Sequence, residues 1–328
     1  MRSLLIRRAI ETCITIFLAT LILFVSMRLA PGDPIRLLLY SSSEVALSDA
    51  RLLEEKAAEL RAEQGLDRPI PLQYAEWIGR LLRFDLGHSI LTGRPVATEI
   101  AERLPATVAL AACAMIIQTL FGGVVGFFAA LKSNTLFDHI VRAVCIAAAS
   151  TPGFVIALLL LSLFAVKLQA YEISSAASAE RIWLPAVTLG LLGAPQLIRF
   201  VRGGMLAEFG QGYVLAALSR GLPKRTIAKQ AARGAMPPFI TVVGLSFAGL
   251  VSGAVVIESI FAWPGIGKYA LDSILRKDYP VVQGYALLMV MLMVFTNLMV
   301  DAIYALIDPR IRRRRKEGIE RAQEQTPL

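Results

Sequence analysis

The chain has 328 residues, 56% hydrophobic and 18% charged, with a formal net charge of +9 and a mean hydropathy of +0.61. Soluble domains sit near half apolar and about a quarter charged, so this balance excludes an ordinary water-soluble domain. The positive excess lies beside long apolar runs without interleaved aromatics, which points to membrane orientation rather than to nucleic acid.

Arg2, Arg7 and Arg8 precede a first apolar run, about 9–30. It is longer than a signal-peptide core, and Arg28 stands where small cleavage-site residues would belong, so an uncleaved first span is expected. A polar segment follows over 31–104, broken at Asp67-Arg68-Pro69. Beyond the break, Tyr74, Trp77, Ile78, Leu81 and Leu82 fall at i, i+3, i+4, i+7 and i+8. That spacing predicts an amphipathic helix, either lying along the membrane interface with Tyr74 and Trp77 at headgroup level or packed on the ends of the spans.

Five further apolar runs cover about 105–131, 140–166, 182–200, 236–258 and 281–307. Each approaches the ~20 helical residues that cross about 30 Å of hydrocarbon. The expectation is an all-α integral membrane protein of six transmembrane helices. Lys132, Arg142, the basic run Arg199–Arg233 and the tail 308–328 fall on the side of the N-terminus. Both termini are therefore expected in the cytoplasm, with 31–104 outside. Gly122 and Gly126, and again Gly249 and Gly253, have the GxxxG spacing that lets helix backbones approach closely in lipid.

Catalytic signatures are missing: the sequence has no GxxxxGK[ST], HExxH or GxSxG. Cys13, Cys113 and Cys145 have neither disulfide nor zinc spacing, and His88 and His139 are expected on opposite sides. A non-catalytic subunit without a metal or cofactor of its own is expected. Glu11 and Arg28 lie near the ends of the first span, where side chains can reach the interface. No span has a charged centre, which weighs against the alternative class, an ion-coupled secondary transporter. Met289, Met291 and Met293 do not share a helical face and read as packing. Glu258, Phe261, Trp263 and Asp301, at the ends of the fifth and sixth spans, are the candidate pathway or gate residues.

The segment 201–235 between the fourth and fifth spans is the most informative. Tyr213–Arg220 can form two helical turns with small Ala216 and Ala217 on one side. Gly221 can take the left-handed conformation that ends a helix, and Pro223 suits the first turn of the next. A second helix over 224–235 carries Lys224, Arg225, Lys229 and Arg233, and Pro237-Pro238 should separate it from the fifth span. This bent pair is a compact knob for a groove on another subunit, or a hairpin on the membrane surface.

At these residues the chain resembles the permease subunits of bacterial ATP-binding-cassette importers of the peptide/nickel class. The Ala216-Ala217-x3-Gly221 core looks like that family's coupling loop, although Leu215 replaces its acid and the turn after Gly221 is one residue shorter. LIRRAIETCITIFLATLILFVSMRLAPGDP resembles the family's first span and its exit, GLDRPIPLQYAEWIGRLLRFDLGHSILTGRPV its external segment, and LPATVALA its second span. VIESIFAWPGIGKYALDSILRKDYPVVQG and NLMVDAIYALIDPRIRRR resemble its fifth loop and sixth span. The resemblance implies a type I-like importer permease in the bacterial inner membrane, paired with a second similar permease. It also implies two ATP-binding subunits, which carry the ATP and magnesium, and a periplasmic or lipid-anchored solute-binding protein. Tyr213, Ala216, Ala217, Arg220, Gly221, Pro223 and Lys224 would form the coupling loop. The FAWPGIGKYA wording and the short 167–181 loop lean toward nickel-type members, with any nickel chelated; di- or oligopeptides remain the other substrate.

Overall fold

Backbone hydrogen bonds inside a helix are the only local way to satisfy every N–H and C=O in hydrocarbon, and among the described residues the apolar runs are helical except at Thr151-Pro152. The computed structural model describes residues 2–29, 54–59, 68–174 and 177–307; side chains before Ile10, of Arg28 and after Met299 lie outside the described set, as does the basic tail. Helix α1 is Arg2–Leu29, α2 Ile70–Leu81, α3 Val96–Leu131, α4 Leu136–Ser150 and α5 Gly153–Leu161, the last continuing as a π-helical turn, Ser162–Lys167. Then follow α6 Trp183–Phe209, α7 Gly212–Ser219, α8 Lys224–Ile260, α9 Ile266–Leu275 and α10 Tyr279–Ile307. Among the described residues no strand forms, only an isolated bridge between His88 and Pro95. Among the described residues five helices are long and apolar enough to cross a membrane, and α4 with α5 makes a sixth span if the bent pair counts as one.

Several helices depart from the expected spans; α6, for one, runs on to Phe209, past the expected end near 200. The second span begins earlier, at Val96, with Pro105 inside α3. The third span is not one rod, because α4 and α5 meet at 99°. Thr151 precedes a proline, which disfavours helical geometry, and it is extended at φ −93 and ψ 128. Most consequential, Pro237 and Pro238 do not separate the basic helix from the fifth span; α8 runs unbroken from Lys224 to Ile260. Each proline removes one N–H, but a break would strand more backbone groups in an apolar setting. Thr241 Oγ1 also donates to the Pro237 carbonyl at 3.2 Å.

The chain divides into two compact units, residues 1–106 with 264–292, and 107–263 with 293–328. In the first, α2 packs on α1. Phe24 meets the Tyr74 and Trp77 rings at 5.3 and 5.8 Å, and Thr20 Oγ1 lies 3.0 Å from the Tyr74 hydroxyl. Trp77 is buried, so of the two readings of this helix, packing on a span holds for its aromatic face. The same unit has a core of Val96, Ile100, Ile266 and Val281. Buried Asp278 closes the 89–91 turn, accepting from Ser89 Oγ at 2.5 Å and the Ile90 amide at 3.1 Å. Buried Glu99 pairs with Arg94 at 3.1 Å and Arg103 at 2.5 Å.

In the second unit α3 and α6 cross at backbone distance. A Cβ at Gly126 would stand 2.8 Å from the Ile198 carbonyl, and one at Gly190 would stand 2.8 Å from the Ala114 carbonyl. The first GxxxG pair is thus a packing seam answered by a glycine on the facing helix. Among the described residues the second pair shows no such approach: nothing lies within 4 Å of a Cβ at Gly249, and Leu189 approaches Gly253 only to 3.8 Å. Gly126→Val or Gly190→Val should therefore destabilise the purified protein by about 1–3 kcal/mol through overpacking, read as a lower melting temperature in detergent. Gly249→Val should leave that temperature nearly unchanged.

Candidate functional site

The segment joining α6 to α8 folds into an elbow whose geometry follows from its residues. Helix α7 closes with the Leu222 amide donating to the Ala217 carbonyl at 3.2 Å and the Gly221 amide to the Leu218 carbonyl at 2.9 Å. This double closure requires a left-handed residue at its corner, and Gly221 supplies φ +70. Pro223 sits one position before α8 rather than inside its first turn. Its carbonyl accepts from the Thr226 and Ile227 amides at 2.9 and 3.3 Å. The shorter turn after Gly221 thus still launches a regular helix.

The elbow is pinned by apolar contacts among Val214, Ala217 and Ile227, with Phe209 packed against them. Ala216 and Ala217 therefore do not share one exposed side. Ala217 lies one turn beyond Val214 and turns inward, whereas Ala216 faces out. The outer surface is instead built from Leu215 at 69% exposure, Leu218 at 53% and Leu222 at 37%, beside Arg220, Gly221, Pro223 and Lys224. The sequence reading missed these leucines, although the three-residue step between Leu215 and Leu218 marks a common face.

Tyr213 projects back along the elbow and donates its hydroxyl to Glu208 Oε2 at 2.7 Å. Desolvation, then the hydrogen bond to Glu208 and its negative charge, push the phenol up to about 12. The hydroxyl therefore keeps its proton, and its donor role, across the physiological range. A second polar tie went unread because its partners lie far apart in sequence. Asp138, fully buried at the start of α4, accepts from Arg202 Nε and Nη2 of α6 at 2.6 and 2.8 Å. It also accepts the Asn134 amide at 3.0 Å.

The gate candidates divide. Glu258 is buried, accepts the Thr107 hydroxyl at 2.6 Å, and takes the Trp263 amide on its main-chain carbonyl at 2.8 Å. Phe261 is buried edge-on to Tyr171 at 5.7 Å, and Tyr171 in turn meets Trp183 at 6.0 Å. Glu258, Phe261 and Trp263 are thus all buried at the end of α8 and in the turn that follows it. Asp301 lies on α10, but its side chain is outside the described residues. His139 contacts Arg142 at 2.5 Å. Among the described residues no group of three or more His, Cys, Asp or Glu could hold a metal ion.

The profile of the family described as binding-protein-dependent transport system inner membrane component matches residues 122–313, and that of its N-terminal portion matches residues 1–111. Among curated proteins, the di/tripeptide transport system permease protein DppB of Pseudomonas aeruginosa is 36% identical, covering 96% of this chain and 100% of its own length. The dipeptide transport system permease protein DppB of Escherichia coli K12 is 34% identical, over 90% of this chain and 94% of its own. The Escherichia coli K12 glutathione transport system permease protein GsiC is 33% identical, over 95% and 99%. Among solved structures, an inward-facing MetNI methionine ABC transporter superposes with a TM-score of 0.54 at 16% identity, covering 64% of this chain and 96% of that one, which shows a shared fold.

Removing the Asp138 carboxylate strands the Arg202 guanidinium. Asp138→Ala is expected to destabilise the protein by about 3–5 kcal/mol, and Asp138→Ala with Arg202→Met by clearly less. Thermal unfolding in detergent checks both.

Proposed function

The chain belongs to the family of binding-protein-dependent transport system inner membrane components, and on that premise we propose that it forms half of the translocation pathway of an ATP-driven importer. A second, similar permease completes the pathway, and a solute-binding protein delivers cargo from outside. Both termini and the elbow face the cytoplasm of a cell whose inner membrane holds the six spans. ATP and magnesium act on partner subunits and not on this chain. A ligand moves such an equilibrium only through a preference for one state, and ATP bound between the partner subunits supplies that preference.

The observation that carries this reading is the elbow at Gly221. A rigid corner offers Leu215, Leu218 and Leu222 to a groove, with Arg220 and Lys224 at its edge. Three apolar side chains at one corner suit burial in a partner better than exposure to water. The buried residues Glu258, Phe261 and Trp263 are the proposed gate, with Asp301 toward the other end of the pathway.

The proposed cargo is a short peptide, from dipeptide to a glutathione-like tripeptide, because the relatives named for such cargo match along nearly their whole length. Nickel, favoured by the wording around Trp263, draws no support from these relatives.

Leu218→Glu or Gly221→Pro is expected to cut capture of the ATP-binding subunits about tenfold or more while the chain still inserts in the membrane. Co-purification from membranes reads this directly, and undiminished capture by both variants would count against the docking role. In a strain lacking the chain, labelled dipeptide and glutathione uptake should return with the wild-type gene and nickel uptake should not.

A further inference from the structure

Helix α7 is joined to α6 only by Gly210 and Gln211, and Gln211 is extended at φ −77 and ψ 148. The apolar contacts of Val214, Ala217 and Ile227 are non-directional, so they resist separation better than they resist sliding. A directional tie bridges the same gap. Glu208, in the last turn of α6, accepts the Tyr213 hydroxyl at 2.7 Å. Its carboxyl also lies directly on Gly234 of α8: a Cβ there would stand 2.6 Å from Glu208 Cδ and 3.0 Å from Oε1. One carboxylate on α6 therefore touches both α7 and α8, and the missing side chain at position 234 leaves it room to lie there.

We propose that Glu208 is a positioning residue that makes the elbow rigid with two spans at once, passing displacement of α7 to α6 through Tyr213 and to α8 through Gly234. The inference rests on the docking reading of the elbow. It assigns a transmission role to Glu208 and Gly234, neither of which is on the exposed docking surface of Leu215, Leu218 and Leu222. Motion at the corner then reaches the spans as rotation of a connected body, where a looser joint would absorb it.

The test uses the complete complex, with ATP-binding and solute-binding subunits, in proteoliposomes, measuring labelled alanyl-alanine taken up per ATP hydrolysed. Glu208→Ala and Gly234→Ala should each lower that ratio about fivefold or more while the ATP-binding subunits still co-purify. Glu208→Gln, whose amide carbonyl can accept the same hydroxyl, should keep it near wild type. Tyr213→Phe removes one oxygen and should lower the ratio as well. The Tyr213→Phe, Glu208→Ala pair should be no worse than either single change, as for partners in one contact. A wild-type ratio in Glu208→Ala, or losses that multiply in the pair, would overturn the proposal and leave the docking reading standing. A wild-type chain that captures no ATP-binding subunit would overturn both.

Discussion

Every main-chain N–H and C=O placed in hydrocarbon must find its partner within the protein, and this constraint governs the structure. It explains why α8 passes through two consecutive prolines without stopping, against the ordinary effect of proline on a helix. Among the described residues the sharp break in the spans falls at Thr151-Pro152, where the residue before a proline is already pushed toward extended geometry. With the backbone satisfied inside each helix, association depends on shape. The crossing of α3 and α6 is accordingly built from Gly122, Gly126 and Gly190, where missing side chains let backbone and side chain meet.

Because α8 is continuous, the elbow and the fifth span are one mechanical element. A helix ending at Pro237 would have left the basic segment as a separate arm on a hinge. Instead the side chains that meet α7, such as Ile227, stand on the same helix that carries Glu258 to its far end. The polar ties have the same character. Asp138 with Arg202 fixes α4 to α6, and Tyr213 with Glu208 fixes α7 to α6. Each is a charge-assisted hydrogen bond, more directional than the apolar contacts around it. A transporter that alternates between states needs such stiff bodies, since a small shift is amplified only if packed elements move as units.

Much of this was legible in the residues. Apolar run length marked the spans, and the Gly221–Pro223 pair marked the elbow, since only local geometry was needed in either case. The aromatic periodicity of Tyr74 and Trp77 marked α2, but two surfaces could have satisfied that face, and contact with Phe24 decided between them. The alanines show the limit of spacing arguments. Ala216 and Ala217 are adjacent and alike, yet a helix turns about 100° per residue, and the position of Val214 and Ile227 selects which one is buried.

The order of residues alone was enough for an all-helical membrane chain, the succession of its apolar runs, and the corner at Gly221. Hydropathy, charge asymmetry and turn chemistry are properties of neighbouring residues and need no fold to be read. It took the packed helices to establish that the prolines of α8 are passed over and that Gly122 and Gly126 line a seam against a facing helix. They likewise decided that Asp138 meets Arg202 and that Glu208 rests on Gly234. Those outcomes depend on which side chain a distant helix brings close, and linear spacing carries no record of that.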